Sequence, residues 1–599
     1  MLSKAVLSRN GSLLALLVVW LAAYCPQAKA AHGAFTLDVY ALRGPQDASA
    51  KLYISVIPAD PGTLAPETLK KVQVKAEGGG TKNYKDVASP GGQTSIDLGD
   101  VPLLSAVSVQ VLAQTDQTGN TQVMDGSTAV TEFALNSQHA VVPDFEGYGA
   151  QFNSNLYTSI SNPANGWINN PPQNTANVEA KVKNVKPGLS RIFLSPNNYV
   201  AGNENLMDSF YKTVELAQAA GARVNITWWF LRQAPKGADQ LTYTEQDMQN
   251  FANTLIDLVN NHGLTAVQEI TIQNEVDSVA WLNNNKSVYN TAYRLLDTSL
   301  RAAGIRDHIK FVGGDLVLNG QMPWFTYMAQ NMDDVLDGWS GHIYWNYWDP
   351  SYLLSRLNGI LADMTILQGQ GLHTKPLSIT EYGIRGYRTI NGKTIEDVNP
   401  YRNGALTATL AGYYQAADGT LTPIMQTNIA AFQQAEFNMQ AVDDGFIGLA
   451  KWDFYRAQYD FSYQDHSLIG YLFNPAPGQD QWPLRPSYYM EWMMANTTGQ
   501  HWQTLGQNGN SGNKLIAPFR SPSGDMTVFA MSTDQAAATF TIGDLPFNAV
   551  FRVLVWNADG SGKVTASVPI NSGAAGVISV SAPALSVVAL TTVAVGPLP

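Results

Sequence analysis

Between residues 145 and 497 one pattern recurs eight times: a short run of apolar and β-branched residues, followed by a stretch of helical periodicity. The apolar runs are 145–153 (FEGYGAQFN), 190–195 (SRIFLS), 223–230 (RVNITWWF), 266–275 (AVQEITIQNE), 309–315 (IKFVGGD), 338–345 (GWSGHIYW), 376–382 (PLSITEY) and 445–454 (GFIGLAKWDF). The clearest helical stretches are 206–220, 245–260, 286–303, 352–368, 428–442 and 486–496. Several are followed by a glycine (Gly221, Gly263, Gly304), the residue that closes a helix in a left-handed cap. Strands alternating with helices build parallel βαβ units, and eight units over about 350 residues predict a (β/α)8 TIM barrel. The competing topology is an open doubly wound sheet. It usually brings a nucleotide fingerprint after its first strand, and EGYGAQFN is not one.

The flanks read differently. Residues 31–140 contain short alternating runs (AFTLDVYAL, AKLYISVIP, KKVQVKA, AVSVQVLAQ) broken by Gly, Pro and Asp, and 500–599 does the same (DMTVFAMS, ATFTIGDL, FRVLVWN). Each predicts a β-sandwich beside a barrel at 145–497, and both are expected to lie against it. RPSYYMEWMMANTTG leads into the second sandwich without a flexible linker. Residues 1–30 have the form of an export signal: Lys4 and Arg9, an apolar run at 13–23, then Ala28-Lys29-Ala30. The run is too short for a membrane span, so a secreted or periplasmic product is expected. Cys25 is the only cysteine and would leave with the signal, which suits bacterial export without disulfides. The formal charge is −12, and about −15 once Lys4, Arg9 and Lys29 are removed. That balance argues against nucleic acid or an anionic membrane as partner and leaves neutral glycans open. Nothing in the sequence indicates an oligomeric state.

A TIM barrel carries its chemistry at the C-terminal ends of its strands. The fourth strand ends at Asn274-Glu275 and the seventh at Glu381. These strands face each other across the mouth, so two carboxylates can address one bond, as glycoside hydrolysis requires. Either glutamate alone is as readily a surface or ion-paired residue; the pair, at these two strand ends, carries the reading. Other strand ends supply Gln151 and Asn153 (strand one), Arg191 (two), Trp228 and Trp229 (three), His342 and Tyr344 sharing a face (six) and Trp452 (eight). Aromatic platforms edged by amides and a cation are how proteins hold a polyhydroxylated ring. Each also has a plainer reading: His342 as a satisfied core histidine, Arg191 as the partner of a core carboxylate, Trp228, Trp229 and Trp345 as packing. Asp277, two residues past Glu275, is placed on a loop. No HxxxH spacing and no GxSxG motif occurs, so neither metal, other cofactor nor serine nucleophile is expected.

On Asn274-Glu275, Glu381, His342, Tyr344, Arg191 and Trp452 the chain resembles clan A of the glycoside hydrolases, whose families 30, 39, 51 and 79 carry similar β-domains beside the barrel. The resemblance implies a retaining enzyme acting on β-linked poly- or oligosaccharide. Glu275 would be acid/base, Glu381 nucleophile, and Asn274 the partner of the sugar 2-hydroxyl. Tyr344 and His342 would support the nucleophile, Arg191 would lie beside it, and Trp452 would floor the subsite. Val276 stands where many clan members have proline. A transglycosylase remodelling an exported polysaccharide would use the same residues, and a non-catalytic glycan-binding protein is the third reading. Between Gly383 and Asn428 lies a long segment with Arg385, Tyr387, Arg388, Tyr401, Arg402, Tyr413 and Tyr414, predicted to wall or cover the cleft.

Overall fold

The structure is a computed structural model that describes residues 35–59, 63–114, 121–158, 172–202, 204–317, 321–346, 351–385, 388–390, 393–395, 413–415, 421–423, 427–455, 466–472, 475–509, 513–533, 536–558 and 561–599. The expected export signal and most of the segment at 387–424 lie outside the described residues.

Eight parallel strands close a barrel in sequence order: Gly147–Phe152, Leu189–Leu194, Arg223–Trp228, Val267–Ile272, Lys310–Leu316, Gly338–Asn346, Leu377–Arg385 and Gly448–Lys451. The eighth pairs with the first, Gly448 against Gly147. A long helix follows each strand: Pro172–Val185, Glu204–Ala219, Gln240–Ile256, Lys286–Ala302 (after the short helix Ala280–Asn283), Met322–Asn331, Ser351–Gly369, Asn428–Asp443 and Pro486–Thr497. Alternation along each strand sorts its side chains. Ile226 and Trp228 turn outward to pack beneath helices, while Asn225 and Thr227 turn into the barrel and hydrogen-bond there. Gly221, Gly263 and Gly304 have φ of 88°, 64° and 72°, the left-handed conformation expected at helix ends.

The first seven strands, from Phe35–Leu42 to Thr121–Thr131, form a two-layered sandwich. Its layers share the last strand, which pairs with Ala106–Gln114 along most of its length and then, at Val130 and Thr131, with Ala41 and Leu42. Leu52, Ile54, Val72, Val109 and Val111 fill the space between. The expected boundary at 140 is corrected here, because it cuts through the strand Phe133–Phe145. That strand lies antiparallel to Trp502–Gly509 and parallel to Ala538–Gly543, inside the nine-stranded C-terminal sheet. Phe133 and Leu135 enter the core of that domain, and Val142 and Phe145 enter the core it shares with the barrel.

The C-terminal sheet packs on the barrel: Phe519, Phe529, Leu554 and Trp556 join the same core as the helices Asn428–Asp443 and Pro486–Thr497. The N-terminal sandwich meets the C-terminal sheet, where Lys514 donates to Glu132 at 2.6 Å and the Glu132 backbone donates to the Thr541 carbonyl at 3.2 Å. Among the described residues no helix is long and apolar enough to cross a membrane.

Candidate active site

Arg191 lies fully buried inside the barrel, and every donor of its guanidinium is engaged. Nη1 donates to Glu381 Oε2 (2.8 Å), Nη2 to Asp315 Oδ2 (2.5 Å) and Asn274 Oδ1 (2.6 Å), and Nε to Thr227 Oγ1 (3.0 Å). A buried guanidinium is tolerable only when paired and hydrogen-bonded in this way. Asp315 reaches it because strand five breaks its regular form. Gly314 has φ 119°, where a Cβ would lie 2.6 Å from the Ser340 carbonyl oxygen, and Asp315 itself is left-handed at φ 52°. The Asp315 carboxylate also accepts from Ser340 Oγ (2.7 Å) and Thr380 Oγ1 (2.5 Å). On strand seven the register slips between Gly341/His342 and Ile379/Glu381. The extra residue of this bulge lets Thr380 and Glu381 both turn inward.

His342 is fully buried among three carboxylates. Nδ1 is 3.3 Å from Glu275 Oε1 and 3.8 Å from Glu381 Oε2, and Nε2 is 3.4 Å from Asp315 Oδ1. The Tyr344 hydroxyl donates to Glu381 Oε1 at 2.6 Å. Glu275 follows strand four in a left-handed turn, φ 67° at Gln273 and 49° at Glu275, and its side chain is 29% exposed.

Burial alone would lower the pKa of His342, but the charges of Glu381 and Asp315 and the hydrogen bond to Glu275 push it up to about 10, so it is a cation at neutral pH. Burial would raise Glu275; the hydrogen bond and charge of His342, with Arg191, outweigh that and hold it below the usual glutamate value. Asp315 is likewise buried yet held well below the usual carboxylate range by Arg191 and His342. The charge of Arg191 overcomes its own burial through Asp315 and Glu381.

Around this web stand aromatic rings. Trp452 lies 6.0 Å from Phe193 between centroids, Phe193 stacks on Trp229 at 5.3 Å and 17°, and Tyr344 packs on the Phe193–Trp452 pair. Trp229 is 40% exposed.

The structure therefore brings Glu275, Glu381, Asn274, Arg191, His342, Tyr344, Trp452 and Trp229 to one mouth. It corrects two expectations. Trp228 turns out of the barrel, fully buried against Phe251 (5.2 Å) and Tyr199 (5.9 Å), its indole N–H donating to the Phe230 carbonyl. Neighbouring strand residues face opposite ways, and Thr227 and Trp229 take the inner side. Asn153 is a tie rather than a free amide: its Nδ2 donates to Asp453 Oδ2 (2.8 Å) and the Tyr455 carbonyl (2.6 Å), sealing strand one to the chain after strand eight. Trp345 packs outward on Phe437 and donates to Gln433. Asp277 accepts from the backbone of Val317. Sequence reading missed Asp315, Thr380 and Phe193. The signal for Asp315 was present, an aspartate at the end of strand five after Gly313-Gly314.

One ligand atom each from Glu275, His342 and Glu381 lie within 4.8 Å of one another, the one such group of metal-ligating atoms among the described residues. A divalent ion there would have to displace the proton on His342 and sit near Arg191, so the charges disfavour it.

No protein-family model and no curated protein matches the chain. Solved structures do share its fold. The catalytic domain of the GH30 xylanase C from Talaromyces cellulolyticus aligns with a TM-score of 0.50 at 11% identity, covering 77% of this chain and 99% of that one. A glycoside hydrolase family 30 subfamily 8 xylanase from Clostridium acetobutylicum aligns with a TM-score of 0.51 at 12% identity, over 77% and 99%. At such identity the likeness is one of architecture: a barrel with a β-domain beside it.

Proposed function

We propose that this protein is a retaining glycoside hydrolase that cleaves β-glycosidic bonds of an exported or extracellular poly- or oligosaccharide. The observation that carries the reading is the pair Glu275 and Glu381, on opposite strands of one barrel mouth, with carboxylate oxygens within 4.8 Å. Retaining enzymes set their two carboxyl groups about 5–5.5 Å apart, whereas inverting ones need about 6.5–9.5 Å to admit a water between. In this reading Glu381 is the nucleophile. Arg191 and Tyr344 each hold one of its oxygens and so aim the carboxylate at the anomeric carbon. Glu275 is the acid/base. In the free protein His342 carries the proton and Glu275 is the anion paired with it. Taking a proton from solvent, Glu275 becomes the neutral acid and protonates the leaving oxygen as the glycosidic bond breaks and the bond to Glu381 forms, while His342, 3.3 Å away, stays a cation beside the carboxylate that reforms. A water then gives its proton to Glu275, attacks the anomeric carbon and releases Glu381. Asn274 accepts from Arg191 through Oδ1, leaving its NH2 group to reach the sugar 2-hydroxyl.

A panel of 4-nitrophenyl β-glycosides, with xylan as first polymer, tests the reading. Glu381→Ala should abolish turnover, and azide should restore it partly with formation of the α-glycosyl azide. Glu275→Ala should lose most on substrates with poor leaving groups. Absence of wild-type turnover on every glycoside, or equal losses on good and poor leaving groups, overturns it. Product analysis with added acceptor sugars separates hydrolysis from transglycosylation. Residues 1–30 serve export in this reading, and an N-terminus at Ala31 in the mature protein checks that.

A further inference from the structure

Gly383 lies two residues beyond Glu381 on strand seven, and in register it faces Tyr344 of strand six. A Cβ at 383 would stand 2.8 Å from His466 Nδ1 and 2.9 Å from Tyr344 Cε1. The absent side chain is the slot that the imidazole of His466 occupies. That ring meets Tyr344 edge-on, with centroids 5.8 Å apart and planes at 78°. His466 is only 8% exposed.

Its backbone is held on the extension of strand eight from several sides. Lys451, a buried residue of that strand, donates to the His466 carbonyl and, at 3.1 Å, to the carbonyl of Trp452. Leu468 N–H donates to Asp453 (3.0 Å), Ile469 N–H to Phe454 (2.9 Å), and Arg485 Nη1 to the Ser467 carbonyl (2.9 Å). Two separate parts of the chain, 451–454 and Arg485, thus converge to place one ring behind Tyr344. On another side Tyr344 packs against Phe193 and Trp452. Tyr344 is itself partly exposed at the mouth, so its own burial does not fix where its hydroxyl points.

We propose that His466 is a positioning residue for Tyr344: its ring, seated over Gly383, wedges the phenol against Glu381 and so fixes which carboxylate oxygen is hydrogen-bonded and which is turned to the substrate. This rests on the reading of Glu381 as nucleophile. In this proposal His466 acts on Glu381 through Tyr344. A reacting group displaced by about 1 Å costs about 10²-fold in rate, and His466 is the support against that displacement.

The test combines kinetics with a structure. On a 4-nitrophenyl β-glycoside turned over by the wild type, His466→Ala and Gly383→Ala should each lower kcat/KM by about 10- to 100-fold, mostly in kcat. His466→Phe, which keeps a ring in the slot, should recover most of the loss. In a Tyr344→Phe background, which lacks the hydroxyl, His466→Ala should cost a further factor of about 3 or less, because the two residues act as one unit. Independent, multiplying losses in that double mutant overturn the proposal. So does a crystal structure of the His466→Ala variant with the Tyr344 hydroxyl still within about 3 Å of Glu381. A wild type inactive on every glycoside would remove the glycosidase reading alone. The crystal structure would then decide the positioning role, a hydroxyl moved away from Glu381 supporting it.

Discussion

At the foot of the barrel Arg223 lies between Glu146 and Glu269, 3.0 Å from one and 3.3 Å from the other, with Lys310 3.4 Å from Glu146, much as Arg191 lies between Asp315 and Glu381 at the mouth. Glu269 and Asp315 are both fully buried. Their electrostatics nevertheless run in opposite directions. Neither carboxylate oxygen of Glu269 receives a hydrogen bond, and burial, followed by the charge of Glu146, pushes its pKa up to about 8. Asp315 receives hydrogen bonds from Arg191, Ser340 and Thr380, faces His342 as well, and is held low. Burial is therefore not what separates the two ends. The charges facing each carboxylate, two cations at Asp315 against a second carboxylate at Glu269, and then the donors turned toward it, decide whether it is a neutral packing group or a fixed charge. At the mouth those fixed charges hold His342 and Arg191, the two cations that touch Glu275 and Glu381.

Removing one acid from each end should separate mouth from foot most widely. Glu381→Ala should lower kcat/KM by about 10⁴-fold or more, while Glu269→Gln should leave it within about 3-fold, both measured on the same glycoside. A comparable loss in Glu269→Gln would mean that the foot contributes to turnover.

Asp315→Asn tests whether the web at the mouth depends on its counter-charge. It leaves Arg191 and His342 short of a carboxylate, so about 3–5 kcal/mol of stability should be lost in denaturant unfolding. Activity should fall as well. Asp315 is one of the groups that raise His342, so without it His342 gives up its proton at lower pH. The alkaline limb of the pH–rate profile should move to lower pH accordingly; an unmoved limb would remove Asp315 from the web.

The foot makes a pH prediction of its own. The pKa of Glu269 is raised from 4.5 to about 8 in the folded chain. Below pH 4.5 folded and unfolded chains both hold the proton. Between there and pH 8 only the folded chain does, so stability falls as pH rises, by roughly 1.4 kcal/mol per unit, and levels off above pH 8. Glu269→Gln should flatten that slope, with thermal midpoints equal to wild type at pH 4.5 and higher at pH 8. Parallel curves for the two proteins would show Glu269 ionised throughout.

The smallest effect is expected at the rim. Trp229→Ala should cost about 1 kcal/mol of stability, since the residue is 40% exposed and its ring stacks on Phe193, yet raise KM on a polymer by a few-fold. Its neighbour Trp228 should show the reverse, with about 3–5 kcal/mol lost on truncation to alanine and KM unchanged.

Sequence alone is enough for the barrel, the order of its eight strands and the two glutamates facing across its mouth. Those follow from local periodicity and from the closure of eight βαβ units, which puts strands four and seven opposite each other. It also placed His342 and Tyr344 correctly, because residues two apart on a strand share a face. The rest of the site depends on breaks in that periodicity or on distant partners. The left-handed turn at Gly314 and Asp315 and the bulge that turns both Thr380 and Glu381 inward shift side chains by one place, and a pattern of period two cannot show where it slips. Trp228 and Trp229 are identical in type and adjacent, so only the register of strand three with Arg191 settles which of them faces the cleft. The strand Phe133–Phe145 looks like one more alternating run of the N-terminal sandwich, yet it finds its partners at 502–509 and 538–543, because a pairing made across more than 350 residues of chain leaves no mark in the local sequence.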